Sequence, residues 1–243
     1  MRQIEPNSFI CANSEEVLRD LPTDFCDIVL TDPPYGIGVS NAREIGYKGN
    51  NVFTPKQWDN KPPHANAFEE IRRISKNQIV WGGNYFALPA SRCWLVWDKG
   101  EGFYNRTYAE AELAYTSYDR NVKIFKRDPL ACRDYFLKSH PTQKPVPLFV
   151  WCILNFTQPG DLIIDPYSGC GTTALACHKT GRHFICIEQD REYHEIAQQR
   201  YADLIAQQEL FGAEIKESCA TSYNTPMQLS AFGTLPEEPA TSA

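Results

Sequence analysis

Basic residues are too few for a general nucleic-acid binder: 24 Lys and Arg face 30 Asp and Glu, a net charge of −6. Phosphate contacts need local positive charge, so any polyanion site must be a patch and not a property of the whole chain. Cysteine is plentiful, at nine residues, but it forms no CxxC pair and no Cys/His cluster at metal-ligand spacing. That removes zinc modules and dithiol redox chemistry. Cys26, Cys152 and Cys186 lie inside apolar runs and read as reduced core thiols, as expected of a cytoplasmic protein. A membrane span needs about 18–20 apolar residues, and the longest candidate, residues 146–156, is interrupted by Pro147 and Asn155. The amino terminus lacks a basic segment followed by an apolar one, so secretion is not expected. Internal repeats are also missing, which argues against a solenoid.

What is present suits one α/β domain. Hydrophobic residues make up 42% of 243, with five tryptophans, enough for a core. The expected domain covers 1–212, and 213–243, rich in Ser, Thr, Ala, Pro and Glu, reads as a flexible tail.

Two stretches carry chemistry. The first is Asp32-Pro33-Pro34-Tyr35, which follows the apolar run Asp27-Ile28-Val29-Leu30-Thr31. The run reads as a buried strand that delivers the tetrapeptide to a sheet edge. Consecutive prolines fix φ and donate no backbone hydrogen bond, leaving a stiff loop with free carbonyl acceptors beside one carboxylate and one aromatic ring. A planar amine-bearing ring fits such a site, with Asp32 and the Pro33 carbonyl accepting its two N–H bonds and Tyr35 stacking on its face. Taken by themselves, these four residues favour the plainer reading of a strand ending in a Pro-Pro turn, and the rest of the sequence has to decide.

The second is the strand Leu162-Ile163-Ile164-Asp165, followed by Pro166-Tyr167-Ser168-Gly169-Cys170-Gly171-Thr172-Thr173-Ala174. Gly169, Gly171 and Ala174 match G-x-G-x-x-G/A, in which small residues allow a tight turn, close ligand approach and helix packing. A helix opens at once, and the next strand, Phe184 to Ile187, ends at Glu188, 19 positions after Gly169. That is the offset, roughly 20 residues, at which an acid accepts hydrogen bonds from a ribose. Strand, glycine turn, helix, strand and terminal acid in this order point to a nucleoside-containing cofactor.

Between these stretches lie strand candidates at 78–81, 94–97 and 112–116, an apolar helix at 146–156, and two polar stretches. The loop 39–65, which includes Lys48, follows the tetrapeptide directly. Residues 120–138 hold six basic side chains, among them Arg120, Lys123, Lys126 and Arg127, against Asp128 and Asp134, a net +4. A solvated basic hairpin and a phosphate-binding patch explain that stretch equally well. His140, beside Pro141, reads as a loop residue shaping a pocket; Cys170 reads as a small turn residue; Trp81, Trp94 and Trp97 read as core.

The chain resembles the amino-methylating DNA methyltransferases, and in particular the small adenine-N6 enzymes of phages and prophages. The resemblance runs from about Ser8 to Phe211. It rests on Asp32-Pro-Pro-Tyr35, Trp81-Gly-Gly-Asn-Tyr-Phe86, Trp94-Leu-Val-Trp-Asp-Lys99, His140-Pro-Thr-Gln-Lys-Pro145 and Asp165-Pro-Tyr-Ser-Gly-Cys-Gly-Thr-Thr173. The tetrapeptide precedes the glycine turn, as in the permuted β class. The resemblance implies a doubly wound, Rossmann-like sheet of seven mostly parallel strands, the class I methyltransferase fold. It also implies S-adenosylmethionine as methyl donor. Asp165, Ser168, Gly169, Gly171 and Thr172 would then surround the methionine end, with Thr142 and Lys144 nearby. Glu188 would hold the ribose, Asn13 would stand where relatives often have Asp near the cofactor adenine, and Tyr167 replaces the more usual Phe. Asp32, Pro33, Pro34 and Tyr35 would be the catalytic residues, with Asp32 also next to the cofactor.

The implied partner is double-stranded DNA with one adenine flipped out, in a bacterial or phage-infected cell, as in restriction-modification systems. Dimers are common among such enzymes. DNA contacts are expected from the loop near 39–65 (Lys48) and from 118–138 (Arg120, Lys123, Lys126, Arg127). Cytosine-N4 methylation is the alternative, because the same geometry suits either amine, although relatives with that activity more often have Ser at the position of Asp32. A non-catalytic DNA- or cofactor-binding relative is the third reading.

Overall fold

The computed structural model describes residues 4–38, 56, 59–132, 134, 139 and 142–222, with side chains to residue 207. The chain divides into two units, Met1–Leu204 and Ile205–Ala243. The first unit is an eight-stranded sheet covered by helices on both faces.

The strands are β1 (Ser8–Cys11), β2 (Cys26–Thr31), β3 (Ser75–Trp81), β4 (Trp94–Asp98), β5 (Ala111–Thr116), β6 (Lys123–Lys126), β7 (Leu162–Asp165) and β8 (His183–Glu188), and they lie in the order β1-β8-β7-β2-β3-β5-β4-β6. Strand β5 runs antiparallel to both its neighbours, while the other pairs are parallel. The helices are α1 (Ser14–Asp20), α2 (Ala65–Ile74), α3 (Val146–Phe156), α4 (Thr172–Thr180) and α5 (Arg191–Ser222).

A parallel strand covered on both faces must be apolar without alternation, and β2 shows why. Ile28 and Leu30 enter one core with Leu148, Phe149 and Ile153 of α3, whereas Val29 enters the other with Leu18 of α1 and Phe68 and Ile71 of α2. Asn13 caps α1, its side-chain oxygen accepting from the amides of Glu15 and Glu16.

Two expectations are corrected. Among the described residues the sheet has eight strands, not seven, because β6 pairs with β4 within the basic stretch, with Val96 opposite Ile124 and Asp98 opposite Lys126. Phe125 packs on Trp151 at 5.4 Å between ring centroids, and that anchors the strand at the sheet margin. The start of the expected flexible tail is helical instead, because the last helix continues through Gly212 to Ser222. One helix-interior glycine costs only about 1 kcal/mol relative to alanine. Of the expected tail 213–243, the part beyond Ser222 lies outside the described residues.

Strands β2 and β7 are neighbours, yet the chain leaves them toward opposite margins of the sheet. Their carboxyl ends therefore flank the kind of crevice in which open α/β sheets bind ligands. Among the described residues, no helix is long and apolar enough to cross a membrane, and no His/Cys/Asp/Glu group could hold a metal ion.

Candidate active site

A cavity of about 760 Å³ opens at this edge of the sheet. Three carboxylates from three strand ends line it: Asp32 after β2, Asp165 at the end of β7 and Glu188 at the end of β8.

The glycine turn builds one end. Gly169 (φ +50°) and Gly171 (φ +78°) adopt left-handed backbone, which side chains disfavour. A Cβ on Gly171 would stand 2.9 Å from the Cβ of Ala197, so this glycine lets α4 start hard against α5. Glu188 is set by two amides: Gly169 N–H donates to Oε2 and Asp190 N–H to Oε1, each at 2.8 Å. Each oxygen keeps a second acceptor site for a diol. Burial raises the Glu188 carboxyl above its usual range, against the pull of those amides. Asp165 accepts from Thr31 Oγ1 at 2.7 Å, from the Tyr167 amide at 3.1 Å and from the Thr173 hydroxyl. Burial nevertheless pushes it up to about 7.

The other end is built on charge. Lys144 Nζ donates to Asp32 Oδ2 at 2.6 Å and to the Tyr35 hydroxyl at 3.1 Å, and that hydroxyl donates to Asp32 Oδ1 at 2.6 Å. Burial raises the Asp32 carboxyl, while Lys144 opposes the rise. The Tyr35 ring stacks on Tyr85 at 4.8 Å and 14° and lies on Gly82, where an added Cβ would fall 2.1 Å from Tyr35 Cε1. One face of Tyr35 is therefore already covered, and the aromatic surface facing the cavity is shared with Tyr85, which is 48% exposed.

Most of the expected residues meet here. Asp32, Pro33, Pro34, Tyr35, Thr142, Lys144, Asp165, Ser168, Gly169, Thr172 and Glu188 all line the one cavity. Lys144, expected beside a cofactor, is also hydrogen-bonded directly to the tetrapeptide. Asn13 does not line the cavity: its side-chain oxygen caps α1, and the adjacent Ser14 takes the place at the wall. Cys170 is buried with its thiol against Gln143 Oε1 at 3.1 Å, and Trp81 is fully buried.

The basic stretch is split. Lys126 lies at the carboxyl end of β6, on the site's margin, and Arg127 follows it, held in a two-bond pair with Asp134 at 2.8 Å. Arg120 instead donates to the Asn155 carbonyl at the far end of α3, roughly 15 Å along that helix from its start beside Lys144 at 1.5 Å per residue. Lys123, at the first position of β6, lies toward the same far margin, so neither it nor Arg120 reaches the cavity. Parallel pairing with β4 runs the stretch across the sheet, and this is what separates its ends. Lys48 and His140 lie outside the described residues. From the loop 39–65, two described side chains dock beside the cavity. Asp59 accepts the Gly36 amide at 2.9 Å, and Lys56 pairs with Asp190 at 2.7 Å and Glu192 at 2.8 Å.

Sequence reasoning missed Gly82, Tyr85, Lys99 and Glu112 as site residues, and it missed the turn 100–110 between β4 and β5. That turn brings exposed Arg106 and Tyr108 to the cavity rim. The glycine-aromatic block 82–86 was the available signal for the first two. Glu112 gave none, since it occupies one position of an ordinary strand.

Comparison with known proteins agrees with this geometry. A family model for N6/N4-type enzymes, described as DNA methylase, matches residues 80–199. The putative methylase YubD of Escherichia coli (strain K12) is 28% identical over 213 residues, 80% of this chain and 89% of that protein. The type II methyltransferase M2.MboI of Moraxella bovis is 48% identical over 163 residues; the match spans 67% of this chain but only 53% of the relative. Among solved structures, the M1.HpyAVI–SAM complex aligns with a TM-score of 0.51 at 19% identity, covering 79% of this chain and 98% of that one. The cytosine-N4-specific PvuII DNA methyltransferase aligns at 0.52 and 16%, covering 83% and 92%. The fold is that of these two solved structures, and over residues 80–199 the chain is similar to the DNA methylase family.

Proposed function

We propose that this chain is an adenine-N6 DNA methyltransferase that takes its methyl group from S-adenosylmethionine. The observation that carries the reading is a single cavity with the Asp32-Pro-Pro-Tyr35 carboxylate at one end and the glycine turn with Glu188 at the other.

The residues fit that cofactor. Glu188, fixed by two amides, suits a ribose diol, and Asp165 with Ser168 and Thr172 suits an amino-acid end carrying an ammonium. When bound, the cofactor supplies an electrophilic sulfonium methyl. Asp32 accepts an N–H bond of the target amine and, with the Pro33 carbonyl, turns the nitrogen lone pair out of conjugation with the ring. As the new N–C bond formed and the methyl–sulfur bond broke, with the sulfur keeping the electron pair as a neutral thioether, the amine would lose one proton to Asp32 or to water. Tyr35 and Tyr85 offer stacking area, which offsets part of the few kcal/mol needed to flip a base out of duplex DNA. Asp rather than Ser at position 32 favours adenine over cytosine. Free buried thiols suit the cytoplasm of a bacterial or phage-infected cell.

The test is incubation with unmodified duplex DNA and methyl-labelled S-adenosylmethionine, then nucleoside digestion and mass spectrometry. N6-methyladenine is expected. N4-methylcytosine would replace the reading with the cytosine one, and no label in DNA would overturn it.

A further inference from the structure

Behind Asp32 the four charges alternate in sign. Asp32 Oδ2 meets Lys144 Nζ at 2.6 Å, Lys144 Nζ lies 3.0 Å from Glu112 Oε2, and Glu112 Oε1 lies 2.7 Å from Lys99 Nζ. The two lysines are almost wholly enclosed, with side chains 5% and 9% exposed. Lys99 is further held over the rings of Trp97 and Phe103, at 5.3 and 5.4 Å. The Glu112–Lys144 contact is an ion pair without an aligned hydrogen bond, whereas Lys144 hydrogen-bonds both Asp32 and Tyr35. Charges this deep are retained only when paired, and a broken pair leaves a costly unpaired ion.

The reaction puts opposing demands on this group. A lone ammonium against Asp32 would neutralise the carboxylate that the target amine needs as its acceptor. With no ammonium at all, the buried carboxyl would take up a proton and could not accept an amine hydrogen. A second carboxylate behind the ammonium meets both demands, because Lys144 then divides its field between two anions.

Building on the methyl-transfer reading above, we propose that Glu112, braced by Lys99, is a positioning residue that holds Lys144 between two carboxylates and so preserves the acceptor strength of Asp32. Glu112 does not touch the reacting atoms; it acts through Lys144. Burial raises and the two lysines lower the Glu112 carboxyl, with a net fall to about 2, so Glu112 is an anion across the working pH range.

Glu112→Gln removes one charge and keeps the shape. Two shifts follow in the variant. Asp32 loses a negative neighbour, so the acid limb of the methyl-transfer rate moves to lower pH while the plateau falls about tenfold or more. Lys144 loses one of its two anions, so its ammonium titrates at lower pH, by about one unit, a tenfold change in proton affinity. The rate is read in single turnovers as total label entering DNA, whichever base receives it. The second shift is read by NMR on the cofactor-free protein labelled at lysine Cε, with the Lys144 signal identified by its loss in Lys144→Arg. Glu112→Asp should return both readouts toward wild type. A purely structural role would lower the plateau and leave the limb and the lysine titration in place, and that result overturns the proposal. If the wild-type protein transfers no methyl group, the functional reading fails on its own, and a lysine titration unchanged by Glu112→Gln would separately overturn the charge sharing.

Discussion

Asp32 is expected to be indispensable because both its oxygens already take part in a buried network, one from Tyr35 and one from Lys144. Asp32→Ala should abolish methyl transfer while S-adenosylmethionine still binds, measured by calorimetry beside the label assay; a variant with near wild-type rate would remove Asp32 from the chemistry. Asp165 makes a pH prediction. Burial holds its carboxyl up at about 7, so it gains a proton as pH falls through that value, and the neutral form attracts an ammonium less. Cofactor affinity should therefore weaken from pH 8 to pH 6, and binding near neutrality should release a proton, seen as a dependence of calorimetric heat on buffer ionisation enthalpy. For stability the sign is opposite to that of a paired carboxylate. A folded value above the unfolded one means that the contribution of Asp165 is favourable below about pH 4 and declines as pH rises toward 7. Asp32 and Glu188 were legible as residues because each ends an apolar run at a spacing with chemical meaning. Glu112 was not, because its meaning comes from a neighbour 32 positions away in sequence, Lys144.

At the level of elements, the reversal of β5 is what makes Glu112 matter. The strand enters the sheet from the carboxyl edge, so its second residue, not its last, lies beside the site. A pattern of apolar residues specifies a strand but not its direction, which is why the sheet was legible and this acid was not. The same limit hid β6, where lysines at both ends masked the Ile124-Phe125 pair. Gly82 ties one strand end to another, since its φ of +68° and its contact with Tyr35 leave no room for a side chain. Gly82→Ala should push Tyr35 off Asp32 and cut transfer at least tenfold, with strain of order 1–3 kcal/mol lowering the thermal midpoint. The turn 100–110 should make DNA contacts. Arg106→Ala and Tyr108→Ala are expected to weaken duplex binding in fluorescence anisotropy, with Arg106→Ala reducing the salt slope by about one. Arg120→Ala, on the opposite margin, should leave binding unchanged.

At −6 net the chain carries the same sign of charge as its proposed DNA partner, so a grip on DNA is expected from a small basic and aromatic rim and not from a broad field. Every residue lining the cavity falls between Ser14 and Tyr193, and a chain ending at Ser222 should bind cofactor as the full chain does, measured by calorimetry. The sheet is closed by a pairing between distant parts of the sequence: Ser8 of the first strand sits opposite Ile185 of the last. During synthesis at roughly 5–20 residues per second, β1 leaves the ribosome on the order of ten seconds or more before its partner exists. Glu188, the residue proposed to hold the ribose, is itself the last residue of that partner. A nascent chain therefore has Asp32-Pro-Pro-Tyr35 long before it has Glu188, and the two ends of the cavity can come together only after β8 has been made.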